Sequence, residues 1–427
     1  MDNTLALQLF SLFRFVAAFL SGVMLVKMGW LPDQVEQYEL LLLVFGMFSF
    51  FWVSGTQNAF LSLVTKLPEQ QQSTFFKVAL SLICFVSLIA ALLLYGFAGR
   101  LYPAFSGQWS FLLAFYLLLN VPSLYLHIKF LIENRPKAIF WFGVINFSVQ
   151  LFAVLLPLFW GLGVLAVLQA LLFLATVRFL YYLYLVGFSI TFSNRIKVFI
   201  KKWYVLSIPL SLHILLGVSP EYVDAFLIEW FQEEEGAYAI YKYGARELPL
   251  LISFIASIST AALPILVKRQ EEGLDLLKSK TNRLSHILFP LSIILVFIST
   301  YLFELAYDEV YRDSALIFNI YLLILLSRIP MPHTIITARQ DNYFLLFVAV
   351  LEFVANVGLS LLLLPVYGLA GIAMGTVLAN FIQKFFLILF VRIRYDIRLG
   401  QYISLRPWLG YSFTLLLSFF LYYMYLS

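Results

Sequence analysis

The chain has 427 residues, of which 62% are hydrophobic and 12% charged, with a formal net charge of +5. Soluble globular domains carry about 25% charged residues, so this composition excludes an aqueous fold built on one core. The longest connections, 187–202, 267–283 and 392–406, leave no extramembrane domain of catalytic size.

Thirteen apolar stretches lie between Leu5 and Leu426, separated by short charged turns. A hydrocarbon core of about 30 Å needs roughly 20 helical residues, and lipid offers no partner to free backbone amides, so each stretch is predicted to be a spanning helix. In chain order the first set covers 5–28, 39–64, 75–98, 110–132, 138–159 and 162–186. The second covers 204–230, 237–266, 284–305, 314–337, 343–364 and 369–391, and a thirteenth helix covers 408–426. Between the sets runs a basic segment with Arg195, Lys197, Lys201 and Lys202. The expected organisation is an N-terminal lobe at 1–187, a basic cytoplasmic linker at 188–202, a C-terminal lobe at 203–391, and a basic segment with the extra helix at 392–427.

Two local similarities suggest that the halves are copies. Leu-Pro-Leu-Phe-Trp-Gly-Leu-Gly at 156–163 matches Leu-Pro-Val-Tyr-Gly-Leu-Ala-Gly at 364–371, and Glu36-Gln37-Tyr38 pairs with Glu235-Gly236-Ala237-Tyr238. An even number of helices per half makes the copies parallel repeats. The expected fold is therefore an all-α polytopic membrane protein whose two six-helix lobes are related by a pseudo-two-fold axis along the membrane normal.

Lys and Arg concentrate in alternate connections: 66–77, 135–137, 195–202, 268–283, Arg339 and 392–406. The intervening turns are acidic or uncharged, as at Asp33, Glu36, Glu233–Glu235 and Asp308–Asp313. This positive-inside pattern predicts a cytoplasmic N-terminus and accounts for the net charge without nucleic acid. Cys84 is the single cysteine, so neither an intramolecular disulfide nor a zinc cluster is expected. The first apolar run is too long for a signal h-region and is expected to remain in the mature protein.

Charges at mid-membrane cost about 2.5 to 3.5 kcal/mol on insertion scales, so deep ionisable residues need a partner or a wet cavity and are the natural site candidates. Arg14, Glu221, Asp224, Lys242, Arg246, Glu247, Arg328 and Glu352 fall well inside predicted helices. Lys27, His127, Lys129, Arg178 and Lys384 fall nearer helix ends, where long side chains snorkel. Lys242 and Arg246, four apart, share a face of a continuous eighth helix. They form either a cationic patch for phosphate or, through Lys242, a salt bridge to Asp224 or Glu221 that joins two helices. Gly217, Ser219 and Pro220 predict an interrupted seventh helix with Glu221 at a fresh helix start. Arg328-Ile329-Pro330-Met331-Pro332-His333 predicts a second interruption. Glu352 and Asn356 share a face of the eleventh helix, where Glu352 is either an ion-coupling site or is bonded to Asn356 or Arg328 as interhelical glue.

The run 356–380, with its Leu-Pro-Val-Tyr-Gly-Leu-Ala-Gly-Ile-Ala-Met-Gly core, resembles the polysaccharide-export flippases of the multidrug/oligosaccharidyl-lipid/polysaccharide superfamily. So do Ser207-Ile208-Pro209 followed by Asp224, Gly236-Ala237-Tyr238 with Pro264, and Phe13-Arg14 before a turn ending near Tyr38. Glu39 departs from the glycine usual after Tyr38, and the thirteenth helix is extra to a twelve-helix core. The resemblance implies transport of an isoprenoid-pyrophosphate-linked oligosaccharide from the cytoplasmic to the outer leaflet of a bacterial inner membrane. It implies lobes rocking about a cavity, with Arg14, Lys242, Arg246 and Arg328 on the pyrophosphate. Glu221, Asp224, Glu247, Glu352 and Asn356 are the ion-coupling or interhelical set. The expected partners are this lipid-linked substrate, membrane lipids and polysaccharide polymerase machinery, around a monomer with no cofactor and no metal. The competing readings are an ion-coupled multidrug exporter of the same superfamily and a membrane glycosyltransferase or polymerase. Against the enzyme, His127, His213, His286 and His333 are scattered without metal-ligand spacing. The chain also lacks a nucleotide-binding glycine loop, so ATP coupling within it is not expected.

Overall fold

The computed structural model describes residues 3–64, 67–187, 194–232, 234–248, 251–339 and 341–425. Among these residues no strand forms. The helices are α1 (Asn3–Lys27), α2 (Pro32–Val64), α3 (Glu69–Leu101), α4 (Gln108–Ser123), α5 (Leu126–Ile132), α6 (Pro136–Phe159), α7 (Val164–Val186) and α8 (Asn194–Phe231). They continue as α9 (Ala237–Gly244), α10 (Leu251–Lys268), α11 (Gln270–Ala306), α12 (Arg312–Leu322), α13 (Leu325–Arg328), α14 (Pro332–Ala338), α15 (Asn342–Tyr395), α16 (Leu399–Tyr402) and α17 (Leu405–Tyr425).

Helix occupies every predicted span. Ten helices among the described residues are long and apolar enough to cross a membrane, which makes this a multi-pass membrane protein. Four predicted spans depart from one helix of that kind each. The eighth is divided between α9 and α10, the eleventh and twelfth run together through α15, and α17 stands over the thirteenth. Within α15 the backbone turns at Gly368, whose φ of 56° is left-handed and suits a residue without Cβ.

The duplication is written in backbone geometry. Gly161 and Gly368 both have positive φ, and so do Gly29 and Gly236. The two pairs share one spacing, 207 residues, from 161 to 368 and from 29 to 236. The fourth helix of each half is also interrupted at matching places, between α4 and α5 and between α13 and α14. At this offset Tyr38 does not meet Tyr238, so the sequence pairing of those two turns is displaced.

The chain divides into two compact units, Met1–Val218 and Ser219–Ser427, with the boundary inside α8. In the first unit α1 packs on α6, and α4 packs on α3 and α7. The first part of α8 also belongs to this unit. Trp203 donates its indole N–H to the Thr56 carbonyl at 2.8 Å and sits in an aromatic cluster with Phe60, Phe75 and Phe199. Beside it Gly55 lets α2 and α8 touch: a Cβ there would lie 2.7 Å from Ser211 N and 2.8 Å from its Cα. Backbone cannot step aside as a side chain can, so Gly55→Ala should cost about 1–3 kcal/mol or more. A lowered melting temperature of the purified protein checks this; an unchanged one contradicts it.

In the second unit α11 packs against α10, α12 and α17, and α15 packs against α12 and α14. Its apolar core includes Leu277, Met331, Ile336, Val348 and Val391. That core leaves one polar interior region, where the interrupted helices meet α15.

Candidate functional site

Asp224 is the hub of the second unit's polar interior. It lies on α8, is 2% exposed, and receives hydroxyl groups from three other segments. Tyr241 of α9 donates to its Oδ2 at 2.6 Å, Thr376 of α15 donates at 3.0 Å, and Tyr321 of α12 stands 3.4 Å away. Tyr321 also lies 3.1 Å from the Tyr241 hydroxyl, and Asn356 donates its amide to Thr376 Oγ1 at 2.8 Å. The Asn356 carbonyl oxygen is buried with no hydrogen-bond partner. One carboxylate, hydroxyls and an open amide oxygen thus converge without a cation on the carboxylate, an arrangement suited to a proton or a small hard cation.

Local geometry explains the convergence. Gly236, in the left-handed region at φ 88°, is the N-cap of α9 and ends the turn from α8. Past Gly368 the two halves of α15 lie against each other because Gly371 and Gly375 carry no side chain. A Cβ on Gly375 would lie 2.6 Å from Ser360 N. That close approach brings Thr376 to Asn356.

A second cluster forms where helices are broken. Arg328, the last residue of α13, is paired with Glu247 at 2.5 Å. Glu352 of α15 accepts the Asn380 amide at 3.0 Å and also that of Gln383, and Ser327 bonds Asn380 at 2.5 Å. Lys384 is 7% exposed and donates to the Pro330 carbonyl at 3.2 Å. That carbonyl lies at the α13–α14 interruption, where intrahelical partners are missing and a side-chain donor replaces them.

Several expectations are corrected. α8 runs unbroken through Gly217, Ser219 and Pro220, so Glu221 is not at a helix start; a membrane helix absorbs one proline by local adjustment. The break falls instead after Gly244, so Lys242 and Arg246 do not share a helix face. Gly244 packs with its missing Cβ 2.7 Å from Ile317 Cβ, and Pro249 biases the residue before it away from helix. Lys242 pairs with Glu221 rather than Asp224. Arg246 stacks its guanidinium 5.1 Å from the centre of the Tyr243 ring. Glu352 bonds neither Asn356 nor Arg328 but the amides of its own helix.

In the first unit Arg14 is exposed on α1, between Phe10, stacked on His127, and Phe15. Arg178 does not snorkel. It reaches Asn146 O and Gln150 Oε1 at 3.2 Å and Asn120 Oδ1 at 3.4 Å, all neutral oxygens. His213 lies outside the residues whose side chains are described.

Tyr241, Tyr321, Thr376, Asn380 and Gln383 were not singled out from sequence, and Lys384 was read as a snorkelling cation. A signal existed for four of these six. Thr376, Asn380, Gln383 and Lys384 recur at spacings of three and four in an otherwise apolar helix, one polar stripe facing inward.

Known proteins share this architecture. A family model described as polysaccharide biosynthesis protein matches residues 2–270. No curated protein sequence matches the chain. A solved structure of the lipid II flippase MurJ, in an inward closed conformation, is 19% identical over 97% of this chain and 92% of that one, with a TM-score of 0.71. A MOP superfamily transporter from Pyrococcus furiosus is 14% identical over 92% and 94%, with a TM-score of 0.57. An outward-facing multidrug resistance MATE transporter of the same superfamily is 16% identical over 93% and 96%, with a TM-score of 0.55. At these identities the structures establish the fold, which is that of MOP superfamily transporters.

Proposed function

The chain belongs to the polysaccharide biosynthesis protein family, and from that membership we propose that it moves an isoprenoid-pyrophosphate-linked oligosaccharide from the cytoplasmic to the outer leaflet by alternating access. The observation that carries this reading is a family tied to polysaccharide synthesis on the fold of solved transporters. The protein acts as a transporter rather than an enzyme. It works as a monomer in a bacterial cytoplasmic membrane, with the N-terminus inside, and delivers to polymerase machinery.

Arg14, Lys242, Arg246 and Arg328 are the pyrophosphate ligands in this reading. Guanidinium groups take phosphate oxygens in pairs, and Lys242 adds a mobile point charge. Asp224 with Asn356 and Thr376 is the ion-coupling site, Glu221 and Glu247 hold Lys242 and Arg328 between substrates, and Glu352 ties the two halves of α15 together. An inside-negative potential favours outward movement of the anionic headgroup by about 2.3 kcal/mol per charge per 100 mV.

The test is the leaflet distribution of the lipid-linked intermediate in cells with and without this protein. Loss should trap the intermediate on the cytoplasmic face, and alanine at the four cations should reproduce that at normal membrane abundance. Unchanged glycan with raised retention of cationic dyes would instead establish the multidrug exporter, the reading that the MATE-like fold keeps in view.

A further inference from the structure

Both members of the Arg328–Glu247 pair sit on interrupted backbone. Arg328 ends α13, and Glu247 lies in the non-helical stretch after α9. They share a single hydrogen bond, from Arg328 Nη2 to Glu247 Oε1 at 2.5 Å. Glu247 Oε2 and Arg328 Nε are buried and have no partner among the described residues. The pair is partly buried, with side-chain exposures of 32% for Arg328 and 15% for Glu247, and such a pair offsets its desolvation most fully when its remaining donors and acceptors are also satisfied. This pair leaves one of each open.

The surrounding charged and titratable groups do not close it. Glu352 and Lys384 of α15 and His333 of α14 stand around the pair. Glu352 is occupied by Asn380 and Gln383, and Lys384 by the Pro330 carbonyl. A guanidinium with a free N–H edge is better matched by two phosphate oxygens than by one carboxylate oxygen.

Resting on the flippase reading, we propose that Glu247 is a resident competitor for Arg328: it holds the guanidinium in the unloaded transporter and yields it to pyrophosphate oxygens on loading. Displacing Glu247 uses part of the binding energy, so pyrophosphate affinity is lower than it would be at an unpaired Arg328. The non-helical stretch that carries Glu247 supplies the freedom to withdraw.

The experiment measures binding of a short-chain isoprenyl pyrophosphoryl monosaccharide to the purified full chain. Glu247→Gln should bind about tenfold tighter than wild type, the equivalent of ~1.4 kcal/mol. The gain should vanish in the double variant with Arg328→Gln, and His333→Gln should bind as wild type does. Equal or weaker binding by Glu247→Gln, or a gain that survives in the double variant, overturns the proposal. If the wild type binds and Arg328→Gln binds as well, this inference fails while the flippase reading stands on the other cations. Failure of every form to bind the probe removes both.

Discussion

Asp224→Ala should abolish transport and lower the melting temperature of the purified protein. The substitution removes the carboxylate acceptor of Tyr241, Tyr321 and Thr376, leaving the two tyrosine hydroxyls only each other at 3.1 Å, with one O–H stranded, and Thr376 only the Ile372 carbonyl at 3.2 Å. Each buried donor stranded in this way costs about 1–3 kcal/mol, and each kcal/mol moves the melting temperature of a unit this size by about 2–4 °C. Asp224→Asn separates charge from shape. It should keep most of the stability, because its amide carbonyl still accepts, yet make transport indifferent to an imposed proton or cation gradient. Transport by Asp224→Asn with wild-type gradient dependence would remove the ion-coupling role from this residue. Thermal melting and vesicle transport, read side by side on both variants, distinguish a structural hub from a coupling site.

Gly375→Ala should produce a comparable loss from a position that touches no substrate. The added Cβ would meet Ser360 Oγ at 2.5 Å, its N at 2.6 Å and its Cα at 2.8 Å. Two of those atoms are backbone, so the halves of α15 must separate. Overpacking of this kind costs about 1–3 kcal/mol. The displacement would fall on Thr376, the next residue, and on its hydrogen bonds to Asp224 and from Asn356. Gradient dependence should therefore weaken together with stability. A Gly375→Ala protein that melts and transports as wild type would show that the close approach is not required.

The spans were legible in the sequence because lipid leaves the backbone one solution, and hydropathy reports it directly. The repeat was legible at Gly161 and Gly368 because a left-handed turn demands the same residue in both copies. The site was legible only as a set of expensive charges. Which charge meets which depends on where helices break, and two cues competed there. Pro220 looked like a break and lies within α8, while the real one follows Gly244. That misplacement put Lys242 and Arg246 on one face and left Asp224 and Glu221 both open as partners of Lys242. The structure gives Lys242 to Glu221, Arg328 to Glu247, and Asp224 to neutral hydroxyls. Lys384 and Arg178 were assigned to snorkelling because counting from a helix end treats every long cation as able to reach the headgroups. A carbonyl freed at the α13–α14 interruption gives Lys384 a reason to stay inside.

The most direct measurement places the purified protein in liposomes with a lipid-linked oligosaccharide and follows exposure of the sugar to a membrane-impermeant glycosidase. The account predicts that sugars initially sheltered in the inner leaflet become accessible much faster than in protein-free liposomes, and that alanine at Arg14, Lys242, Arg246 and Arg328 removes the acceleration. Movement at the protein-free rate would contradict it.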